Sequence, residues 1–208
     1  MNELYDKNYF EFGVESGKSN YSRYRWIPEL TIPMAMTMID HLDIKPHHKI
    51  LDFGAAKGFL VKAFRWLNRQ AWGMDISEYA ISNCDPEVRE YYVNNLNGYD
   101  FIIAKDVFEH IPLDELSVII DRIKAVSEFK AVSDKLFAII PLGDNGKYRA
   151  PANDHDVTHV NCMTEDEWIQ YFADNHLICR EFTFKIRGIK DSYYEQYPTA
   201  HGFFTLCR

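Results

Sequence analysis

Short apolar runs alternate along this chain with segments whose apolar residues recur at helical spacing. The runs occupy residues 49–53, 71–74, 101–104 and 136–140. After the first run, the apolar side chains between residues 59 and 67 fall on one face of a helix. Strands that alternate with helices in this way predict a doubly wound, mostly parallel α/β sheet, whose ligands bind at the carboxyl ends of the strands.

Three further segments complete the predicted sheet. Residues 89–93 form a candidate third strand, and residues 177–186 and 203–207 supply the last two. Since residues 187–202 contain no clear crossover helix, we expect the last strand to run antiparallel to its neighbour. The sequence thus predicts a sheet of seven strands.

Capping residues indicate where several helices begin. Ser77 is a candidate N-cap after the second strand, and Asp114 begins an amphipathic helix that extends to about Phe129. Thr164 and Glu167 have the spacing of a capping box. These signals place helices after the second and fourth predicted strands and before the sixth.

A loop of small residues at positions 52–58 joins the first predicted strand to its helix. Small residues there let the backbone approach a ligand closely. The dinucleotide pattern G-x-G-x-x-G, counted from Gly54, would need its last glycine at Phe59 and is not matched. The order acidic, apolar, G-x-A-x-G resembles motif I of the class I, Rossmann-like, S-adenosylmethionine-dependent methyltransferases, with Ala56 in place of the usual middle glycine.

Two further segments extend this resemblance over roughly residues 45–145. Asp75 ends the second strand in W-G-M-D-I-S and is similar to the family's acidic residue that accepts both ribose hydroxyls. Residues 105–111, K-D-V-F-E-H-I, resemble the family's fourth motif, without the N/D-P-P-Y/F signature of nucleic-acid amino methylation. The resemblance implies S-adenosylmethionine as the cofactor and a methyltransferase of the small-molecule type.

The resemblance also implies which residues contact the cofactor. Asp52 would reach the methionine amino group, Ile76 would pack on the adenine, and Asn94 or Asn95 would lie near the adenine edge. Acidic residues suit this cofactor because its sulfonium is cationic. The implied set is Asp52, Gly54, Ala55, Ala56, Gly58, Asp75, Ile76, Asn94, Lys105 and Asp106.

Two segments contain candidate catalytic residues for methyl transfer to the acceptor. His110 follows the strand at 101–104, where an imidazole either takes a proton from the acceptor or packs at the start of a helix. The segment Asp156-Val157-Thr158-His159 resembles a D-x-T-H segment found at this place in small-molecule methyltransferases. Asp156 and His159 are therefore the other catalytic candidates, with plain loop structure as the alternative.

The histidines and aspartates between residues 153 and 161 are also candidate metal ligands. No known metal-ligand spacing is matched there. The four cysteines also contain no C-x-x-C pair. We therefore expect no metal site.

Residues 1–44 differ from the rest of the chain in their density of aromatic side chains. They resemble the cap that folds over cofactor and acceptor in many family members, although a helix pair on the sheet edge would have the same composition. We expect this cap to belong to the same domain as the methyltransferase portion, residues 45–208. The tyrosine-rich segment 187–198 offers either a pocket wall or a homodimer contact.

The balance of charged residues limits which partners this chain is expected to bind. The 208 residues include 23 Lys and Arg against 31 Asp and Glu, a net charge of −8, with no long basic block. We therefore expect neither nucleic acid nor a membrane as the partner. No apolar stretch reaches the length of a membrane span, and the first residues lack a signal peptide's apolar core, so the cytoplasm is the expected location.

The expected function is methyl transfer to a small polar acceptor, with a hydroxyl of a sugar or sugar-like metabolite as first choice. The alternatives are nitrogen or phosphoryl methylation of a metabolite, protein methylation, and a non-catalytic partner subunit that binds the cofactor. A non-catalytic subunit is expected to lose the loop glycines or Asp75, and this chain keeps both. A nicotinamide oxidoreductase would need the missing third glycine.

Overall fold

The structure is a computed structural model, and it describes residues 4–125 and 135–208. Within those residues the strands are β1 Lys49–Phe53, β2 Gln70–Met74, β3 Phe101–Lys105, β4 Lys135–Pro141, β5 Gly143–Asp144, β6 Lys147–Tyr148, β7 Ile178–Thr183 and β8 His201–Cys207. The helices are α1 Lys7–Glu11, α2 Gly13–Ser16, α3 Pro28–Leu42, α4 Phe59–Trp66, α5 Glu78–Ser82, α6 Leu113–Ala125, α7 Glu165–Asp174 and α8 Asp191–Gln196. Short 3-10 helices lie at Pro86–Tyr91, Phe108–His110 and Pro151–His155.

The main sheet has the strand order β2-β1-β3-β4-β8-β7. β1 pairs in parallel with β2 and β3, and β3 pairs in parallel with β4. β8 runs antiparallel to both β4 and β7, which confirms the predicted direction of the last strand. β5 and β6 form a separate antiparallel hairpin.

The prediction of seven strands is wrong, because the described residues form a main sheet of six. The segment expected as the third strand instead lies largely in the 3-10 helix Pro86–Tyr91. Asp85 caps that helix, and Pro86 at its first turn has the fixed φ that suits a helix start. Only Tyr92 retains strand character, through an isolated parallel bridge to Gly73 of β2.

Helices cover both faces of the sheet, as expected for a doubly wound fold. Ile50 of β1 is buried on the face that packs against α3 and α4. The next residue, Leu51, is buried on the opposite face, which packs against α6 and α7. Because successive strand residues point to opposite faces, a strand covered on both sides must be apolar where it is covered, as β3 is from Phe101 to Ala104.

The predicted helix starts agree with the structure. Ser77 caps α5, with its hydroxyl accepting from the N–H of Ala80 at 3.0 Å. α7 has both hydrogen bonds of the capping box between Thr164 and Glu167. α6 begins one residue before the predicted start, and its predicted end at Phe129 lies outside the described residues. Across residues 4–125 and 135–208, no helix has the length and apolar character to span a membrane.

Candidate active site

A cleft opens at the carboxyl ends of β1, β2 and β3. It holds about 690 Å³ of empty space, counting the part that is open to solvent. The strand ends and following loops contribute Phe53, Gly54, Ala56, Met74, Asp75, Ile76, Asp106, Val107, His110 and Ile111 to its walls, and the amino-terminal segment contributes Tyr5, Tyr9, Phe10 and Tyr21.

The glycine loop takes left-handed backbone conformations, with φ at 81° for Gly54, 49° for Ala56 and 77° for Gly58. Gly54 must be glycine, because a Cβ atom there would lie 2.3 Å from a methyl carbon of Val107. Its N–H donates to the carbonyl of Met74 at 2.8 Å, which ties the loop to the end of β2. The loop therefore borders the cleft mainly with backbone atoms.

Asp75 follows β2 and lines the cleft beside the glycine loop. Its Oδ2 accepts from the backbone N–H of Ala56 at 2.6 Å, and its Oδ1 accepts from that of Ser77 at 2.7 Å. Burial raises the pKa of Asp75, while these backbone hydrogen bonds oppose the rise. Because a carboxylate oxygen accepts two hydrogen bonds, each oxygen keeps capacity for a ligand. Ile76, which is 52% exposed, lines the cleft next to it.

Asp52 and Asp106 have opposite electrostatic surroundings. Asp52 is 4% exposed near the end of β1, and burial raises its pKa to about 7, with Lys105 opposing the rise and Asp75 adding to it. Burial also acts to raise the pKa of Asp106. Ion pairs with Lys105 at 2.5 Å and Lys190 at 2.8 Å nevertheless hold the pKa of Asp106 well below its usual range. Asp106 therefore presents a negative charge at the cleft wall.

A chain of hydrogen bonds joins His110 to Asp156. Nδ1 of His110 lies 2.8 Å from the hydroxyl of Thr158, and that hydroxyl donates to Oδ1 of Asp156 at 2.5 Å. The hydroxyl of Tyr9 donates to Oδ2 of Asp156 at 3.1 Å. Because Thr158 gives its proton to Asp156, Nδ1 of His110 must be the donor to Thr158, which leaves Nε2 as an acceptor. Burial, followed by the nearby His159, lowers the pKa of His110 to about 4.

His159 and Glu109 pack against His110. The two imidazole ring centroids are 4.6 Å apart. Oε1 of Glu109 lies 3.8 Å from Nε2 of His110, and Glu109 is only 1% exposed. Burial and then the charge of Asp106 raise the pKa of Glu109 well above its usual range, and burial lowers the pKa of His159. The three predicted catalytic residues, His110, Asp156 and His159, are thus brought together, and of these three His110 lines the cleft.

Asn94 stands apart from the other predicted cofactor residues. Its side chain is exposed after the 3-10 helix Pro86–Tyr91, and it is not among the described residues that line the cleft. Four other predicted cofactor residues are likewise not among the residues that line the cleft: Asp52, Ala55, Gly58 and Lys105.

Four residues of the site had no role in the sequence interpretation. Glu109 and Thr158 stand within the two motifs that carried the histidines, so their positions were available as a signal. Tyr9 and Lys190 had no such signal, because their partners Asp156 and Asp106 are distant in sequence. Only the folded chain brings them to the cleft.

The amino-terminal segment closes one side of the cleft. Tyr9 and Phe10 are buried in an aromatic cluster with Ala80 of α5. Lys57 of the glycine loop forms an ion pair with Glu11, and its Nζ also donates to the carbonyl of Tyr24 at 3.1 Å. These contacts connect the segment directly to the loop that follows β1.

Known proteins resemble this chain in sequence pattern and in fold. A family model described as a methyltransferase domain matches residues 36–178. The structure of magnesium protoporphyrin IX methyltransferase from Synechocystis, with bound S-adenosylhomocysteine, is similar at a TM-score of 0.62 and 13% identity, covering 100% of both chains. No curated protein sequence matches the chain.

Two other solved structures are similar in fold. One is 1,6-didemethyltoxoflavin-N1-methyltransferase from Burkholderia thailandensis, with a TM-score of 0.60, 15% identity and coverage of 86% of this chain and 79% of that one. The other is geranyl diphosphate C-methyltransferase from Streptomyces coelicolor, with a TM-score of 0.57, 14% identity and coverage of 84% and 78%. Both contain S-adenosylhomocysteine.

The fold and the cleft are those of a class I methyltransferase, and the chain belongs to the family with this methyltransferase domain. It is an S-adenosylmethionine-dependent enzyme. The residues present fit that cofactor, because the cleft combines exposed loop backbone with a carboxylate, Asp75, that retains hydrogen-bonding capacity.

Proposed function

We propose that this enzyme methylates a small polar molecule and that the acceptor is a hydroxyl, with a sugar or sugar-like metabolite as the first choice. The observation that carries the proposal is the hydrogen-bonded series from His110 through Thr158 to Asp156 at the cleft wall. A hydroxyl holds its proton at neutral pH and needs a base, which an uncharged, oriented imidazole supplies.

Residues in and around the cleft supply the proposed contacts to the cofactor. Asp75 accepts hydrogen bonds from the ribose hydroxyls, Ile76 packs on the adenine, and the loop containing Gly54 lies against the methionine end. Asp52 reaches the methionine amino group, and the ionised Asp106 supplies negative charge on the same side. When bound, S-adenosylmethionine supplies an electrophilic methyl group on a sulfonium sulfur.

The reaction needs mainly positioning and one proton transfer. The acceptor oxygen forms a bond to the methyl carbon as the carbon–sulfur bond breaks, and the bonding electrons stay on sulfur. His110 takes the hydroxyl proton at Nε2, while Thr158 and Asp156 hold its ring. His159 packs beside His110 and limits its rotation. Positioning of this kind contributes much of the rate of a displacement reaction.

The small-molecule assignment is supported by two kinds of observation. The cleft is narrowed by the aromatic side chains of Tyr5, Tyr9, Phe10 and Tyr21, which favours a compact acceptor. The similar structures named above are methyltransferases whose names specify a porphyrin, a toxoflavin precursor and a prenyl diphosphate as their substrates. A protein acceptor would need a more open approach.

Methyl transfer from labelled S-adenosylmethionine to matched acceptors tests the proposal. Each acceptor would be offered as the hydroxyl compound, its amino analogue and its phosphorylated derivative, with product identified by mass spectrometry. We expect transfer to the hydroxyl compounds, with a lower kcat in His110→Gln. Transfer only to the amino or phosphorylated compounds would refute the hydroxyl assignment. Cofactor binding without transfer to any acceptor class would support a non-catalytic subunit instead.

A further inference from the structure

Three potential metal ligands meet behind the wall of the cleft. Glu109, His110 and His159 each offer one ligand atom, and these atoms all lie within 4.8 Å of one another. Glu109 and His110 belong to one 3-10 helix, whereas His159 comes from the loop before α7. The cluster therefore exists only in the folded chain.

The buried, unpartnered carboxylate of Glu109 is the main indication of a bound ligand. Its side chain is 1% exposed, and neither oxygen has a hydrogen-bond partner among the described residues. Lys105 and Lys190 form their ion pairs with Asp106 rather than with Glu109. A buried carboxylate without a partner is costly, and either a proton or a bound cation removes that cost.

The two histidines are arranged as metal ligands usually are. Nδ1 of His110 is engaged by Thr158, which is held by Asp156, so the lone pair of Nε2 is on the side of Glu109. A ligating imidazole is commonly oriented by such a partner on its other nitrogen. His159 has a buried Nδ1 without a partner among the described residues.

We propose that Glu109, His110 and His159 form a binding site for a divalent transition-metal ion, with Zn²⁺ as the first choice. Two imidazoles and one carboxylate are the protein ligands of many catalytic zinc sites, and this set leaves a coordination position open. Bonds of about 2.0–2.2 Å require the three ligand atoms to move closer together by side-chain rotation.

The ion takes the position at Nε2 of His110 that a proton would otherwise occupy. With the ion bound, Nε2 of His110 would be a ligand and would no longer act as the base; the ion would instead supply a lowered pKa for a hydroxyl at its open position, whose proton would pass to solvent. This consequence rests on the proposed function, whereas metal binding itself does not. The two are separable because metal binding is measured without cofactor or acceptor.

Cobalt absorption tests the site directly. Full-length, tag-free protein would be stripped of metal and titrated with Co²⁺, whose visible absorption bands report coordination by protein ligands. We expect saturation at one equivalent and loss of the bands when Zn²⁺ is added. Glu109→Gln and His159→Ala should each weaken Co²⁺ binding at least about tenfold.

His155→Ala is the matched control, because His155 is exposed four residues before His159 in the same segment. It should leave Co²⁺ binding unchanged. Circular dichroism establishes that each variant is folded, and the near-isosteric Glu109→Gln serves as the deciding variant if His159→Ala does not fold. Absence of Co²⁺ bands in the folded native protein, or binding that survives both ligand substitutions, would overturn the proposal.

Discussion

The hydroxyl of Thr158 lies 2.8 Å from Nδ1 of His110, although the two residues are 48 positions apart in the chain. This contact decides which nitrogen of His110 carries the proton. Thr158→Val keeps the shape of the side chain but removes the hydroxyl. We expect kcat to fall by about tenfold or more, with little change in KM for the cofactor, because the imidazole loses its orientation.

Steady-state kinetics on the purified variant measures this effect. Thr183→Val is a suitable control, because the Thr183 hydroxyl contacts only the local backbone carbonyl and N–H of Lys185 in the described structure. It should retain native kcat. An unchanged kcat in Thr158→Val would show that this contact does not serve the reaction.

Asp75 should determine cofactor affinity. Asp75→Asn keeps the size of the side chain but loses the negative charge, and it places an amide group among the N–H donors of Ala56 and Ser77. We expect the Kd for S-adenosylhomocysteine to rise by about tenfold or more, since hydrogen bonds to charged groups contribute roughly 1.5–3 kcal/mol. Isothermal titration calorimetry measures the change. Asp174→Asn, at an exposed position on α7, should bind like the native protein.

Asp52 should make stability depend on pH. Its folded-state pKa of about 7 exceeds the ordinary value of 3.8, so the folded chain holds the proton more tightly than the unfolded chain. Folding stability attributable to Asp52 is therefore lost as the pH rises from about 4 to about 7. Asp52→Asn cannot ionise, and we expect it to raise the free energy of unfolding at pH 8 by up to about 4 kcal/mol.

Urea unfolding at pH 5 and pH 8 tests this expectation. At pH 5 the native Asp52 is largely protonated whereas the unfolded chain is already mostly ionised there, so the variant should exceed the native protein by only about 1.6 kcal/mol. A difference of equal size at both pH values would mean that ionisation of Asp52 is not the cause. The variant should also bind S-adenosylmethionine more weakly, if Asp52 holds the methionine amino group as proposed.

Gly54 should tolerate no side chain. Gly54→Ala combines a φ of 81° with a Cβ atom 2.3 Å from Val107, so it adds a steric clash to the backbone cost. Gly17→Ala separates these contributions, because Gly17 has a φ of 66° and open space around the added carbon. We expect Gly17→Ala to cost about 1 kcal/mol and Gly54→Ala about 1–3 kcal/mol more.

Thermal unfolding and cofactor titration measure both consequences. The double variant Gly54→Ala/Val107→Ala should recover part of the lost stability, because it removes the methyl groups that the new Cβ atom meets. If the double variant is no more stable than Gly54→Ala, the clash is not the source of the cost.

Local sequence signals predicted those parts of the fold that depend on neighbouring residues. The capping box of Thr164 and Glu167 is present in full, and the loop from Asp52 to Gly58 links β1 to α4 as expected. Both depend on residues a few positions apart, whose backbone geometry is set by residue type. The third strand was mispredicted because the helix-starting pair Asp85 and Pro86 outweighed the apolar residues that follow.

Amino-acid sequence by itself determined the alternation of strands and helices, the order of the methyltransferase motifs and the position of Asp75 at a strand end. Tertiary structure decided which side chains meet across long stretches of chain. It placed Tyr9 on Asp156, Lys190 on Asp106 and His159 beside Glu109. The reason is physical: periodicity and capping act over a few residues, whereas these contacts arise only when packing of the sheet and its helices brings distant loops to one edge.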